Sequence, residues 1–228
     1  MKVTIHQPEH MPWLGYFDKM AKADIYVILD IVQYRKNYFQ NRNKFIDPRT
    51  GDVYWLTVPV LLKGHTSLTI KDMQINNSQN WKRKYWAKLQ DSYRKHPHFH
   101  PYSEEVYSIL TEDWEYLADL NLALIEFFRK HLNINNKLIR ASELDIDGIQ
   151  SELLLDICKK TKASVYLAGP SGRDYLDKDI FEKSGIDVEF HAFEHPVYPS
   201  VRFAPYLSTL DLLMNCGEKS ANILGICE

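Results

Sequence analysis

The chain has 228 residues, 45% of them hydrophobic and 25% charged, a globular average that excludes wholesale disorder, because enough apolar surface is present to offset chain entropy. Its 28 Lys and Arg against 30 Asp and Glu leave a net charge of -2, which excludes a surface committed as a whole to nucleic acid and makes any anion site local. No apolar stretch approaches the ~20 residues that a membrane-spanning helix needs, and the aromatic content of 13% suits either ligand stacking or a large core.

In chain order, a β-branched run at residues 3–5 follows the first residues without an apolar signal segment, so a cytoplasmic location is expected. A proline-bearing turn at 6–12 leads to a helical pattern over 13–23. The apolar run at 25–29 then reads as a strand buried on both faces. Residues 31–75 read as extended segments, with 54–60 strand-like and a Pro/Gly turn at 47–52. Trp81, Tyr85, Leu89 and Tyr93 recur every four residues. Trp114, Leu117, Leu120, Leu124 and Phe127 continue at helical spacing, which predicts two helices separated by a break at 96–101. Towards the C-terminus, a helix at 150–160 precedes a strand at 164–168, and a helix at 176–183 precedes a strand at 186–193, with Gly185 as the helix stop. The alternation predicts an α/β fold, a Rossmann-like parallel sheet flanked by helices. Residues 31–135 form a mixed insertion of extended segments and helices within one domain over 1–228. Cys158, Cys216 and Cys227 lack CxxC spacing and read as reduced, structural thiols.

Ligands of open parallel sheets bind at the carboxyl ends of the strands, which directs attention to the loops at 6–15, 169–174 and 195–200. The first packs His6, Gln7, Glu9, His10 and Trp13 into one turn. Pro12 suits the first helical turn, so a phosphate held by the helix dipole and by His6 or His10, with Trp13 as a wall, competes with a buried turn of satisfied histidines. Residues 33–45 interleave cations and aromatics. In extended geometry Lys36, Tyr38, Gln40 and Arg42 share a face that would grip phosphates, against the alternative of an edge strand shielded by charge. Gly169, Ser171 and Gly172 allow backbone amides close to an anion, with Arg173 and Asp174 at the loop tip, in a pattern that is no Walker motif. His195 and Tyr198 come from a rigid loop after the next strand. The alternating imidazoles at 96–100 lack a fixed further ligand, so they read as a surface turn, and no metal is expected. The cations at 82–84 read as a solvated helical face with Trp81 inward.

The segments His6-Gln7-Pro8, Pro12-Trp13-Leu14-Gly15-Tyr16-Phe17-Asp18-Lys19, Ala23-Asp24, Leu29-Asp30, Val32-Gln33-Tyr34 and Asn41-Arg42 resemble the N-terminal signature of WbqC-like proteins. Residues 169–176, His195-Pro196-Val197-Tyr198 and Leu207-Ser208-Thr209-Leu210-Asp211-Leu212-Leu213 resemble their C-terminal signature, so the resemblance covers nearly the whole chain. It implies a bacterial protein of O-antigen or other surface-polysaccharide synthesis, suspected of attaching an aminoacyl group such as glycine to an amino sugar. His10 and Ser200 depart from the aromatic and glutamine of many relatives, and neither is assigned a catalytic role. A weaker similarity is to pantothenate synthetase and other nucleotidylyltransferase-like folds. It rests on the order of the 6–12 turn, the 169–174 loop and Ser208-Thr209, without their HxGH spacing.

The resulting expectation is a transferase or ligase that joins a small acyl or aminoacyl group to a nucleotide-linked amino sugar. The cofactor is open, with ATP admitted through an adenylate route. The expected catalytic set is His6, Asp174 and His195, with His6 donating to phosphate and Asp174 or His195 as base. Lys36 and Arg42 are the anion clamps, and Trp13 and Tyr198 hold sugar or base faces. Gln7, Tyr16, Asn41, Gly169, Ser171, Gly172, Arg173 and Ser208 complete the binding set. A noncatalytic nucleotide-sugar or glycan-binding protein is the alternative, and RNA binding ranks third.

Overall fold

A computed structural model describes residues 1–226. In chain order its elements are β1 (Lys2–His6), α1 (Leu14–Ala21), β2 (Ile25–Ile28), β3 (Arg42–Ile46), β4 (Val53–Thr57), α2 (Trp81–Tyr93), α3 (Phe99–Thr111), α4 (Leu117–His131), β5 (Lys137–Arg140), α5 (Gln150–Lys160), β6 (Val165–Ala168), α6 (Lys178–Lys183), β7 (Asp187–Phe190), α7 (Thr209–Cys216) and α8 (Ser220–Ile223). Five strands form one sheet in the order β5-β2-β1-β6-β7, and every neighbouring pair in it is parallel. Counted within the sheet alone this is the doubly wound order 3-2-1-4-5, whose winding reverses between β1 and β6.

Alternation along the strands explains why helices cover both faces. Val3, Ile5, Ile25 and Val27 point into a core shared with Leu154, Ile157 and Cys158 of α5 and Phe181 of α6. Tyr26 and Ile28 point the other way, into a larger core with Tyr16 and Phe17 of α1, Phe128 of α4 and Leu213 of α7. Residues two apart share a face and their neighbours take the opposite one.

The stretch at 31–135 fills the crossover from β2 to β5, which lie side by side. It contains the antiparallel pair β3–β4, joined by the expected turn, where Asp47 N–H donates to the Asp52 carbonyl at 2.9 Å. Three helices follow rather than two. The break at 96–101 is only a short turn, and Pro101 sits at the third position of α3, within the first turn where proline is tolerated. Phe45, Tyr85, Tyr93, Tyr102 and Phe127 join the larger core, so much of the aromatic excess is packing. β5 is a strand that the charged, four-residue Lys137-Leu138-Ile139-Arg140 did not announce. α6 starts at Lys178 rather than 176, and β7 ends at Phe190 rather than 193. Cys158 and Cys216 are buried free thiols, and burial pushes Cys158 up to about 12. Cys227 lies outside the described residues. No helix among the described residues is long and apolar enough to cross a membrane.

Candidate functional site

β1 pairs with β2 through His6–Ile28 but with β6 only through Thr4–Leu167. The buried Thr4 hydroxyl donates to the Leu167 carbonyl at 2.7 Å, and beyond this point the two strands part at the reversal of the sheet. A cavity of about 570 Å³ occupies the gap. Ile5, His6, Gln7 and Glu9 line it from the β1 side, and Gly169, Ser171 and Gly172 from the β6 side. This is the crevice that a doubly wound sheet offers a ligand.

The polar groups at its floor are buried and short of partners. Lys19 of α1 is 3% exposed, and its ammonium donates to the Ile5 carbonyl at 3.1 Å. Burial lowers its pKa to about 8, against the opposing pull of Glu9. Glu9 is 5% exposed; its Oε1 lies 3.5 Å from His6 Nε2, and its Oε2 has no hydrogen-bond partner. His6 Nδ1 is likewise buried and unpartnered, while the ring packs 4.9 Å from Tyr16. Burial foremost, and then the Lys19 charge, lower the His6 pKa, so the imidazole is neutral at pH 7. Arg35, Lys44 and Lys19 line the cavity against the single carboxylate of Glu9.

Aromatic walls complete it. Trp13 packs edge-on against Phe193 at 5.3 Å and beside Tyr206 at 5.7 Å. This placement depends on Gly15, where an added Cβ would stand 2.3 Å from the indole. Tyr206 has φ 61°, the left-handed region that costs a non-glycine residue ~1–3 kcal/mol, and it lines the cavity together with Tyr38 and Tyr175.

The structure gathers His6, Gln7, Trp13, Gly169, Ser171 and Gly172 at the cavity as expected and disperses the rest. Gln7 Oε1 accepts from Gln40 at 2.7 Å. Tyr16 is fully buried, donating to the Gln7 carbonyl at 3.4 Å, so it supports the loop from beneath. The extended face expected over Lys36, Tyr38, Gln40 and Arg42 does not form: Asn37 takes φ 62° and residues 37–41 turn, which buries Gln40 and leaves Lys36 exposed. Alternation begins only with β3, where Arg42 lies over the Trp55 ring at 4.2 Å. Arg35 and Lys44, not Lys36 and Arg42, therefore supply the lining cations. Asn41 is buried, donating to the Val58 carbonyl at 2.9 Å.

Arg173 and Asp174 are exposed on a 3-10 turn, not on the start of a helix, with Arg173 over Phe190 at 5.2 Å. His195 sits one ring behind the cavity, 5.4 Å from Tyr206, and neither Asp174 nor His195 lines it. Tyr198 donates to Asp211 Oδ2 at 2.8 Å inside the core, and burial raises the Asp211 pKa to about 6. Ser208 is the N-cap of α7, accepting from Leu210 N–H at 3.3 Å. Pro12 precedes Trp13, the N-cap of α1, rather than opening the helix. His10 turns away from the cavity: its nitrogens contact Asn121 Oδ1 at 3.0 Å and Tyr85 Oη at 2.8 Å. The imidazoles at 96–100 are not projected from an extended chain, because Phe99 and His100 belong to α3 and His96 packs on Tyr93. Among the described residues no group of three or more His, Cys, Asp or Glu is placed to hold a metal.

Lys19, Arg35, Lys44 and Tyr206 are site residues that sequence reasoning left out, and Glu9 reads there as part of the first turn without a role. A signal for Lys19 existed: it falls three and four positions after Tyr16 and Gly15, on one helical face.

Residues 7–223 match the WbqC-like protein family. An uncharacterized protein of Mycobacterium tuberculosis is 31% identical over 232 residues, covering 99% of this chain and 98% of its own. No solved structure matches.

Proposed function

The chain belongs to the WbqC-like protein family, and on that premise we propose that it is a cytoplasmic transferase or ligase. It attaches a small acyl or aminoacyl group to a nucleotide-linked amino sugar for surface-polysaccharide synthesis. The observation that carries the reading is the cavity at the sheet reversal, where three cations face one carboxylate between aromatic walls. Arg35 and Lys44 hold the diphosphate, Tyr38 and Tyr206 give flat faces for a sugar or base, and the glycine loop brings backbone close to the ligand. The attacking amine must be a free base. Neutral His6 takes its proton as the nitrogen adds to the acyl carbonyl, and the donor's leaving group departs with the electron pair. His6, expected as the phosphate donor, has the position for this base role in place of Asp174 or His195, since neither of those lines the cavity; His195 packs behind the wall residue Tyr206.

The test is calorimetric titration with UDP- and dTDP-linked amino sugars, followed by mass analysis of each sugar incubated with amino acid and ATP. Binding is expected to weaken roughly 10- to 100-fold in Lys44→Ala and to be unchanged in Lys36→Ala. A mass increase equal to one acyl group confirms transfer. Absence of nucleotide-sugar binding contradicts the proposal, and binding without any product reduces the protein to a carrier.

A further inference from the structure

The floor of the cavity holds two opposite charges that do not neutralise one another. Lys19 and Glu9 are both at least nine-tenths buried, both line the same space, and the charge of Glu9 acts on Lys19. Yet no ion pair within 4.0 Å joins them among the described residues, and the contact that Glu9 makes in that range is with His6. The Lys19 ammonium has three N–H donors and spends one on Ile5. Glu9 Oε2 has no partner at all. Buried charges left in this state are costly unless something pairs with them.

The unpaired atoms define what would satisfy them. A simple anion would pair with Lys19 while being repelled by Glu9, and a simple cation would do the reverse. A ligand that carries a carboxylate and an ammonium on one carbon satisfies both. Gly169 faces Lys19 from the β6 side, where an added Cβ would stand 4.0 Å from Nζ. We propose that the cavity floor is a split-charge subsite for a free α-amino acid, its carboxylate on Lys19 and its ammonium on Glu9. This rests on the reading of the cavity as the substrate site. It makes the acyl donor a free amino acid whose carboxylate is activated by a nucleoside triphosphate, pyrophosphate leaving as the acyl adenylate forms and AMP leaving with the electron pair as the acceptor amine adds, and it leaves His6 free for that amine.

Glycine, acetate and methylammonium are titrated calorimetrically into the full chain, its Lys19→Met and Glu9→Gln variants, and separately a nucleotide-linked amino sugar is titrated into the wild type. Glycine is expected to bind at least roughly tenfold more tightly than either fragment, and each variant to lose at least roughly tenfold of that affinity, as expected for a lost charge-assisted hydrogen bond. Acetate affinity equal to that of glycine overturns the proposal in favour of a plain anion site. Unchanged glycine affinity in Glu9→Gln, a substitution that keeps the side-chain shape, overturns it even where Lys19→Met fails to fold. Nucleotide-sugar binding without glycine binding removes the subsite and leaves the proposed function standing. Glycine binding without nucleotide-sugar binding removes the proposed acceptor and keeps the subsite.

Discussion

Two places on the carboxyl edge of the same sheet handle buried charge in opposite ways. Where β2 and β5 end, Asp30 is fully buried and its carboxylate is saturated. Arg140 Nε donates at 2.8 Å, Ser142 N–H at 3.0 Å and Ser142 Oγ at 2.7 Å, and Arg140 is held in turn by Asp119 at 2.8 Å. Where β1 and β6 end, Glu9 Oε2 and His6 Nδ1 have no partner and Lys19 has one. The first arrangement ties the long β2–β5 crossover to the sheet. The second leaves hydrogen-bonding capacity open in a cavity, which is what a ligand site requires and a structural site avoids. The contrast recurs within a single turn: His10 has both nitrogens matched, and burial lowers its pKa to about 4, whereas His6, four positions earlier, keeps one nitrogen spare.

If the contrast is sound, substitutions at the saturated end act on stability, and those at the open end act on binding. The largest stability loss is expected for Asp30→Asn. It turns an acceptor of three hydrogen bonds into a mismatched amide beside Arg140, and about 3 kcal/mol should be lost in urea unfolding, as for a broken buried pair. A loss below ~1 kcal/mol would show that the network is dispensable. Gly15→Ala comes next. Its Cβ cannot coexist with the Trp13 indole at 2.3 Å, so the ring must swing off the cavity wall. Overpacking of this kind costs ~1–3 kcal/mol, and nucleotide-sugar affinity should fall with it. Unchanged binding in a destabilised variant would remove Trp13 from the site.

The edge that carries the site was legible in the sequence, because the apolar runs at residues 3–5 and 25–29, the turn between them and the glycine loop after a buried strand all follow rules of local structure. The individual side chains were less so. Lys36 and Arg42 were expected at the cavity because alternation was extended through a segment that Asn37 breaks with a positive φ. β5 was hidden by its flanking charges. α3 was hidden by the histidines and proline before and within its first turn. Lys19 stands out in the sequence only as part of the family-like segment of α1, since a lysine near a helix end ordinarily reads as solvated, and only the parting of β1 from β6 shows that its ammonium ends under the cavity.

The central claim is that the fold buries Lys19 as a cation it does not itself satisfy, and the stability of wild type relative to Lys19→Met, followed from pH 7 to pH 10.5, tests it most directly. The Lys19 pKa falls from 10.5 in an unperturbed lysine to about 8 in the folded chain, so between these values the unfolded state binds more protons. Wild-type stability must then rise relative to the variant as pH increases through that window. A relative fall over the same range would mean that the folded chain stabilises the charged lysine, which would contradict the account.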